Sequence, residues 1–100
     1  MTRQTIRLDR YILTTLLRDL VGHDRHPSAF LVYLHLAVGA TGGRHPRAAA
    51  SYEDLAVATG LSKSGVQQAV RTLKRRRLVR VERATPTAVP VYEVMAPWRR

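Results

Sequence analysis

The spacing of apolar positions along this chain is helical in the first three quarters and strand-like in the last quarter. A broad apolar stripe predicts an N-terminal helix over residues 9–21 that ends at Gly22. Asp9 is expected to cap this helix, because its carboxylate can accept from the free N–H groups of the first turn. A nearly all-apolar stretch over residues 30–38 predicts a second helix that is central and buried.

Two shorter helices separated by a glycine are predicted over residues 51–73. Ser51 and Asp54 have the spacing of a capping box, which marks the start of the first of these helices. Gly60 can adopt the left-handed conformation that ends it, and Ser62 can cap the next helix. In that last helix the apolar residues fall on one face, and they are Val66, Ala69, Val70 and Leu73.

After Arg77 the apolar residues alternate with polar ones, which is the period of a β-strand. Two such runs, one beginning at Leu78 and the other ending at Val94, predict a β-hairpin. The segment 85–90 between them contains two prolines, which suit a loop and not a central strand. The short alanine run 48–50 is a candidate third strand that pairs with this hairpin.

The composition indicates one small globular domain. The chain has 100 residues, of which 45% are hydrophobic, so it can form a single core. We expect neither a membrane span nor a signal peptide, since no apolar run approaches about 18 residues. The absence of cysteine excludes disulfides and thiolate metal sites, and the simplest compartment is a bacterial-type cytoplasm.

Positive charge is concentrated in one part of the chain. Lysine and arginine number 17 against seven acids, for a net charge of +10. Residues 62–83 hold eight cations and one acid, hence +7 of that total. A focused positive field favours a polyanionic partner such as nucleic acid, although an arginine-rich solvated surface is the simpler alternative.

The order of these features resembles the winged helix-turn-helix DNA-binding domains. Ala56, Gly60, Leu61, Ser62 and Val66 are similar to the turn of these domains. The basic residues that follow Leu73 lead into a hairpin, which resembles the exit from the recognition helix into the wing. The resemblance covers residues 28–95.

This resemblance implies a mainly α fold with a small β-hairpin wing (α+β) and an extra N-terminal helix. Residues 1–100 then form a single domain, with an N-terminal arm over 1–8, the extra helix over 9–21, the winged-helix core over 28–95 and a tail over 96–100. Trp98 in the tail is a candidate to pack back onto the domain.

The resemblance also implies that the helix over 62–76 enters the major groove of double-stranded DNA and that the wing over 78–94 lies on adjacent backbone or minor groove. The residues expected to contact base edges are Lys63, Ser64, Gln67, Gln68 and Arg71. Those expected to contact the DNA backbone are Ser51, Tyr52, Ser62, Lys74, Arg75, Arg80 and Arg83. For Arg76 and Arg77, contact with DNA and exposure to solvent both remain open.

Catalytic and metal sites are poorly supported by the residues. His23, Asp24 and His26 could supply metal ligands, but they lack a fourth partner at a spacing known for zinc, and a surface loop explains them better. Ser51 and Ser62 are better explained as caps than as nucleophiles. We therefore expect no enzyme activity, cofactor, metal or small-molecule ligand.

The leading hypothesis is a sequence-specific double-stranded DNA-binding protein, a transcriptional regulator acting on the bacterial nucleoid. A homodimer is expected by analogy, with the apolar surplus on helix 9–21 as the candidate interface. Two alternatives remain open: a DNA-binding domain like those of plasmid or phage replication initiators, and a winged-helix module that binds another protein. Selection from random DNA duplexes should enrich a sequence motif for the DNA-binding hypotheses and none for the protein-binding module, so this selection distinguishes the last alternative from the others.

Overall fold

A helical layer and a three-stranded sheet make up the fold in a computed structural model, which describes residues 3–99. Two consecutive π-helical stretches, Ile12–Leu16 and Arg18–His23, are called here the π-helical segment. The α-helices are α1 (Pro27–Gly39), α2 (Tyr52–Thr59) and α3 (Lys63–Arg75), and the strands are β1 (Arg47–Ala49), β2 (Val79–Glu82) and β3 (Val91–Val94). The predicted α+β winged-helix fold class is confirmed.

The hydrophobic core lies where the π-helical segment, α1 and α3 meet. Every fourth side chain along the π-helical segment is buried, and these are Ile12, Leu16 and Leu20. Burial of side chains of this size stabilises the fold by about 1.5–3 kcal/mol each. The largest side chains with under 2% of their surface exposed are Tyr33, Tyr92, Leu20, Leu36, Leu55, Leu73, Val32 and Val66.

The sheet has the strand order β1-β3-β2, and both pairings are antiparallel. The alanine run therefore does form a strand with the hairpin, as its position suggested. Ala48 pairs with Tyr92, and Tyr92 pairs with Val81, so these three residues share the face that packs on the helices. Because side chains alternate between faces, Arg47, Glu93 and Arg80 lie together on the outer face.

Helix α1 is less buried than its apolar sequence predicts. Val32, Tyr33 and Leu36 are buried, but Leu31 and Val38 are 42% and 43% exposed. A helix covered by neighbours on one side only must leave its opposite face in solvent. The prediction that this helix is central and buried is therefore correct for one face and wrong for the other.

The N-terminal helix differs from its prediction in both pitch and end. The Leu17 N–H donates to the Ile12 carbonyl, and the Asp24 N–H donates to the Asp19 carbonyl, so each bond spans five residues and widens the turn. The segment continues through Gly22 and ends at His23, with Asp24 as its C-cap residue. Arg25, with a φ of 53°, is the left-handed residue that turns the chain out of the helix.

Asp9 ties the two ends of the chain together and does not cap a helix. Its carboxylate accepts from the indole N–H of Trp98 at 2.9 Å and from the guanidinium of Arg99 at 2.7 Å. The hydrogen bonds from Arg99 and Trp98 hold the pKa of Asp9 below its usual value. The Trp98 ring also stacks on Tyr11, with centroids 4.5 Å apart. The expectation that Trp98 packs back onto the domain agrees with these contacts.

Two buried tyrosines differ in whether their hydroxyl groups are hydrogen-bonded. The Tyr33 hydroxyl donates to the Met95 carbonyl at 2.8 Å. The Tyr92 hydroxyl is buried without a hydrogen-bond partner among residues 3–99, and burial raises its pKa to about 12. A buried polar group without a hydrogen-bond partner destabilises the fold, so its removal should not cost stability. Removal of a hydrogen-bonded group loses a favourable interaction and therefore lowers stability.

We predict that Tyr33→Phe lowers the free energy of unfolding by about 1 kcal/mol. Tyr92→Phe, which removes an unpaired hydroxyl, should leave this free energy unchanged or raise it. Urea denaturation of both variants, followed by circular dichroism, measures the difference. A greater loss of stability from Tyr92→Phe than from Tyr33→Phe would contradict this account.

Candidate nucleic-acid interface

The turn between α2 and α3 is defined by three local devices. The Ser51 hydroxyl accepts from the Asp54 N–H at 3.0 Å, and the Asp54 carboxylate accepts from the Ser51 N–H at 3.2 Å. Gly60 ends α2 with a φ of 79°. The Ser62 hydroxyl then accepts from the Gly65 N–H at 3.0 Å and caps α3. The capping box, the glycine turn and the second cap are all confirmed.

Apolar residues on both sides of the turn fix the crossing of α2 and α3. Leu55 and Val66 are fully buried, while Ala56 and Leu61 are partly buried against the core. On α3, all four residues predicted for the inner face are buried, so one side of this helix faces the core. This packing determines which side of α3 faces solvent.

The residues predicted to contact base edges lie on the outer side of α3. The structure places all five in solvent, and they are Lys63, Ser64, Gln67, Gln68 and Arg71. Only one of their side chains has a hydrogen bond to the described part of the chain, that of Ser64, whose hydroxyl lies 3.3 Å from the Ser62 hydroxyl. The other four side chains are free to bind an external partner.

The residues predicted to contact the DNA backbone surround the outer face of α3. They differ in their exposure and in whether intramolecular hydrogen bonds already use their side chains. Lys74 and Arg75 are exposed on the last turn of α3. The hydroxyl oxygens of Ser51 and Ser62 accept the capping hydrogen bonds, and each O–H group can still donate to a phosphate. Tyr52 is half-buried at the first position of α2.

Arg80 is held by a carboxylate that the sequence analysis did not single out. Glu93, with 7% of its side chain exposed, lies 3.7 Å from Arg80 and 3.8 Å from Arg47. His45 approaches the same carboxylate at 3.8 Å. Side chains alternate between the two faces of the sheet along β3, so Glu93 lies on the face opposite to that of Tyr92. This two-residue period is the sequence signal from which the position of Glu93 beside Arg80 could have been predicted. The carboxylate of Glu93, which also faces Arg47, therefore offsets part of the positive charge of Arg80.

Arg83 lies just beyond β2, at the base of the wing. Its guanidinium carbon is 5.4 Å from the centroid of the Tyr52 ring, which is within the range of a cation–π interaction. One guanidinium nitrogen also lies 3.4 Å from the Ala88 carbonyl across the wing loop. Unlike Arg80, it has no carboxylate partner within 4.0 Å among residues 3–99.

Arg76 is directed away from the outer face of α3. Its guanidinium lies 3.5 Å from the Asp24 carboxylate and 3.9 Å from that of Asp19, so it ties the end of α3 to the π-helical segment. Nearby, the His26 ring and the Thr72 hydroxyl are 2.8 Å apart. The open question about Arg76 is thereby answered in favour of an internal role.

The histidines considered as metal ligands have other partners. The His23 ring nitrogen lies 3.0 Å from the Asp24 carboxylate, while His26 is bonded to Thr72. Among residues 3–99, no group of three or more histidine, aspartate, glutamate or cysteine side chains is arranged to hold a metal ion. Over the same described range, none of the helices combines the length and apolar character needed to cross a membrane.

Comparison with known proteins identifies one family. The model of the MarR family matches residues 35–87, just over half of the chain, from the end of α1 to the wing loop. Curated proteins and solved structures contain no match to this chain.

The two neighbouring arginines at the end of α3 give a matched test of the internal ion pairs. We predict that Arg76→Ala lowers the free energy of unfolding by up to about 1 kcal/mol, as expected for partly exposed pairs. Arg75→Ala should leave this free energy unchanged, because Arg75 has no carboxylate partner among residues 3–99. Urea denaturation at low and high salt measures both variants, and the effect of Arg76→Ala should shrink with salt. Equal destabilisation by the two substitutions would rule out the internal role of Arg76.

Proposed function

The chain belongs to the MarR family of winged helix-turn-helix transcriptional regulators, and we propose that it binds specific sequences of double-stranded DNA to regulate transcription. The observation that supports this most directly is the outer face of α3. It presents polar and basic side chains with almost no intramolecular partners, beside a turn whose geometry is fixed by two caps and a glycine. A regulator of this kind acts on the nucleoid in the bacterial cytoplasm.

We propose that α3 lies in the major groove, where its side chains can distinguish bases. Gln67 and Gln68 have amides that can pair with adenine through two hydrogen bonds, and Arg71 can pair with guanine in the same way. Lys63 can donate to guanine, and the Ser64 hydroxyl can bond to several bases. Together these residues extend over the first nine positions of α3, within its exposed face.

Contacts to the DNA backbone would come from the last turn of α3, the start of α2 and the wing. Lys74 and Arg75 supply exposed charges beside the proposed major-groove residues. Such contacts position a protein on DNA and do not select sequence. We expect a smaller contribution from Arg80 than from Arg83, because Glu93 lies 3.7 Å from Arg80 and offsets part of its charge.

We also propose that the protein acts as a homodimer on paired half-sites. Leu13 and Leu17, four residues apart in the π-helical segment, are 53% and 36% exposed. A second copy related by a two-fold axis would cover these leucines and would place two α3 helices on one side of the DNA. The expected consequence is a pseudo-palindromic binding sequence.

Selection from a library of random duplexes tests the function itself. We predict that the protein enriches a defined motif and that Gln68→Ala and Arg71→Ala each weaken binding to it by about 1–3 kcal/mol. Each substitution should also relax the preference at one position of the motif. Arg75→Ala serves as the control, since it should weaken binding to all duplexes alike. Failure to enrich any motif would exclude sequence-specific regulation, and binding of a protein partner would then be the better hypothesis.

The dimer has a separate test. Leu13→Glu combined with Leu17→Glu should convert the protein to a monomer, because two carboxylates cannot be buried unpaired in an interface. Val57→Glu is the matched control, since Val57 is 81% exposed on α2 and lies outside the proposed interface. Light scattering at micromolar concentration gives the mass of each species. A wild-type protein that stays monomeric with and without its DNA would contradict the proposed dimer.

A further inference from the structure

One contact connects the helix-turn-helix to the wing across the proposed DNA-binding side. Tyr52 is the first residue of α2, and Arg83 is the first residue after β2. The Arg83 guanidinium carbon lies 5.4 Å from the centroid of the Tyr52 ring. These two residues are therefore the point where the wing base meets the start of α2.

A surface recess of about 320 Å³ lies next to this contact. Tyr52 forms one side of it, and Gln67, Val70, Arg71 and Lys74 from a single face of α3 form the other. The recess thus joins two residues proposed to contact bases, Gln67 and Arg71, with two proposed to contact the backbone, Tyr52 and Lys74. No acidic residue lines it within the described range of 3–99, so its charge is positive.

The way in which Arg83 is held decides what it can bind. A carboxylate close to a guanidinium offsets its charge and competes for its N–H donors, and Glu93 lies 3.7 Å from Arg80. An aromatic face attracts the cation without accepting in-plane hydrogen bonds, so most N–H groups stay available. One guanidinium N–H of Arg83 donates to the Ala88 carbonyl at 3.4 Å, so Arg83 keeps its charge and its remaining donors while Tyr52 restricts its position.

Tyr92 lies on β3, the strand next to the one that leads to Arg83. Tyr92 is fully buried, and its hydroxyl has no hydrogen-bond partner among residues 3–99. Burial raises the pKa of this hydroxyl to about 12, with Tyr52 adding to the rise and Arg83 opposing it. Tyr92 pairs with Val81 on β2, two residues before Arg83, so the strand ladder places it at the base of the wing.

We propose that Tyr52 is a positioning residue, which holds the guanidinium of Arg83 beside the recess so that Arg83 and Lys74 together bind one phosphate of the DNA backbone. This inference rests on the proposed function and names the residue that orients the wing cation. It also changes the predicted role of Tyr52, from direct contact with the backbone to support of the residue that makes it.

The experiment compares Tyr52→Phe with Tyr52→Leu in the full chain, bound to a duplex chosen by selection. Phenylalanine keeps the aromatic face, so we expect the Kd and its salt dependence to stay within about twofold of wild type. Leucine removes the face, so we expect roughly threefold to tenfold weaker binding and a salt slope lower by about one. Arg83→Gln should give the same loss, and adding Tyr52→Leu to it should cost nothing further.

A neutral methylphosphonate placed at single positions of the duplex locates the phosphate. Wild type and Tyr52→Phe should lose affinity at one position where Arg83→Gln and Tyr52→Leu do not. Circular dichroism confirms that each variant is folded at the temperature of the assay, and Arg83→Gln changes only an exposed side chain.

The possible failures are distinguishable. An unchanged salt slope in Tyr52→Leu, together with a reduced slope in Arg83→Gln, would overturn the positioning role and leave DNA binding intact. Equal losses in Tyr52→Phe and Tyr52→Leu would assign the effect to the hydroxyl and would also overturn it. Absence of salt-dependent duplex binding by the wild-type protein would instead refute the proposed function.

Discussion

The burial of one face of α3 is the constraint on which the proposed interface depends. Val66, Ala69 and Leu73 are fully buried, and α3 packs against α1 and α2 through this face. With 3.6 residues per turn, fixing the apolar side of a helix fixes the direction of every other side chain. The residues that face solvent are therefore determined by packing, and their polar character is free to serve binding.

The cations of this chain differ in their intramolecular partners, so the net charge alone does not indicate which of them are available to bind DNA. The sequence places eight cations within residues 62–83. In the fold, Arg76 is paired with Asp24 and Arg80 is paired with Glu93, so these two cations act within the protein. Arg83 is held by an aromatic ring and keeps its charge. Lys63, Arg71, Lys74 and Arg75 have no carboxylate partner within 4.0 Å among residues 3–99, so ion pairs do not offset the positive charge on the outer face of α3.

Local features of the fold could be predicted from the sequence because their causes are local. The capping box at Ser51, the turn at Gly60 and the cap at Ser62 each depend on residues within three positions of one another. The apolar face of α3 follows from its period alone. These features were sufficient to predict the side of α3 that the structure places in solvent.

The remaining features depend on contacts between distant parts of the chain. Asp9 was expected to cap a helix but is bonded to Trp98, 89 residues away, because the tail competes successfully for its carboxylate. The exposed stripe on α1 could not be predicted, since an apolar sequence does not specify how many sides are covered by neighbours. The pairing of Arg76 with Asp24 was equally hidden, because charge pairs on different elements have no spacing signal.

Site-specific cross-linking would test the placement of α3 most directly, and the lack of cysteine in the chain makes it straightforward. A single thiol at Gln68→Cys can form a disulfide with a thiol tethered to a base in the major groove of a selected duplex. His35→Cys, on the exposed side of α1, provides the control. The account predicts rapid cross-linking from position 68 at a single base position and none from position 35. Equal cross-linking from both positions, or none from position 68, would contradict it.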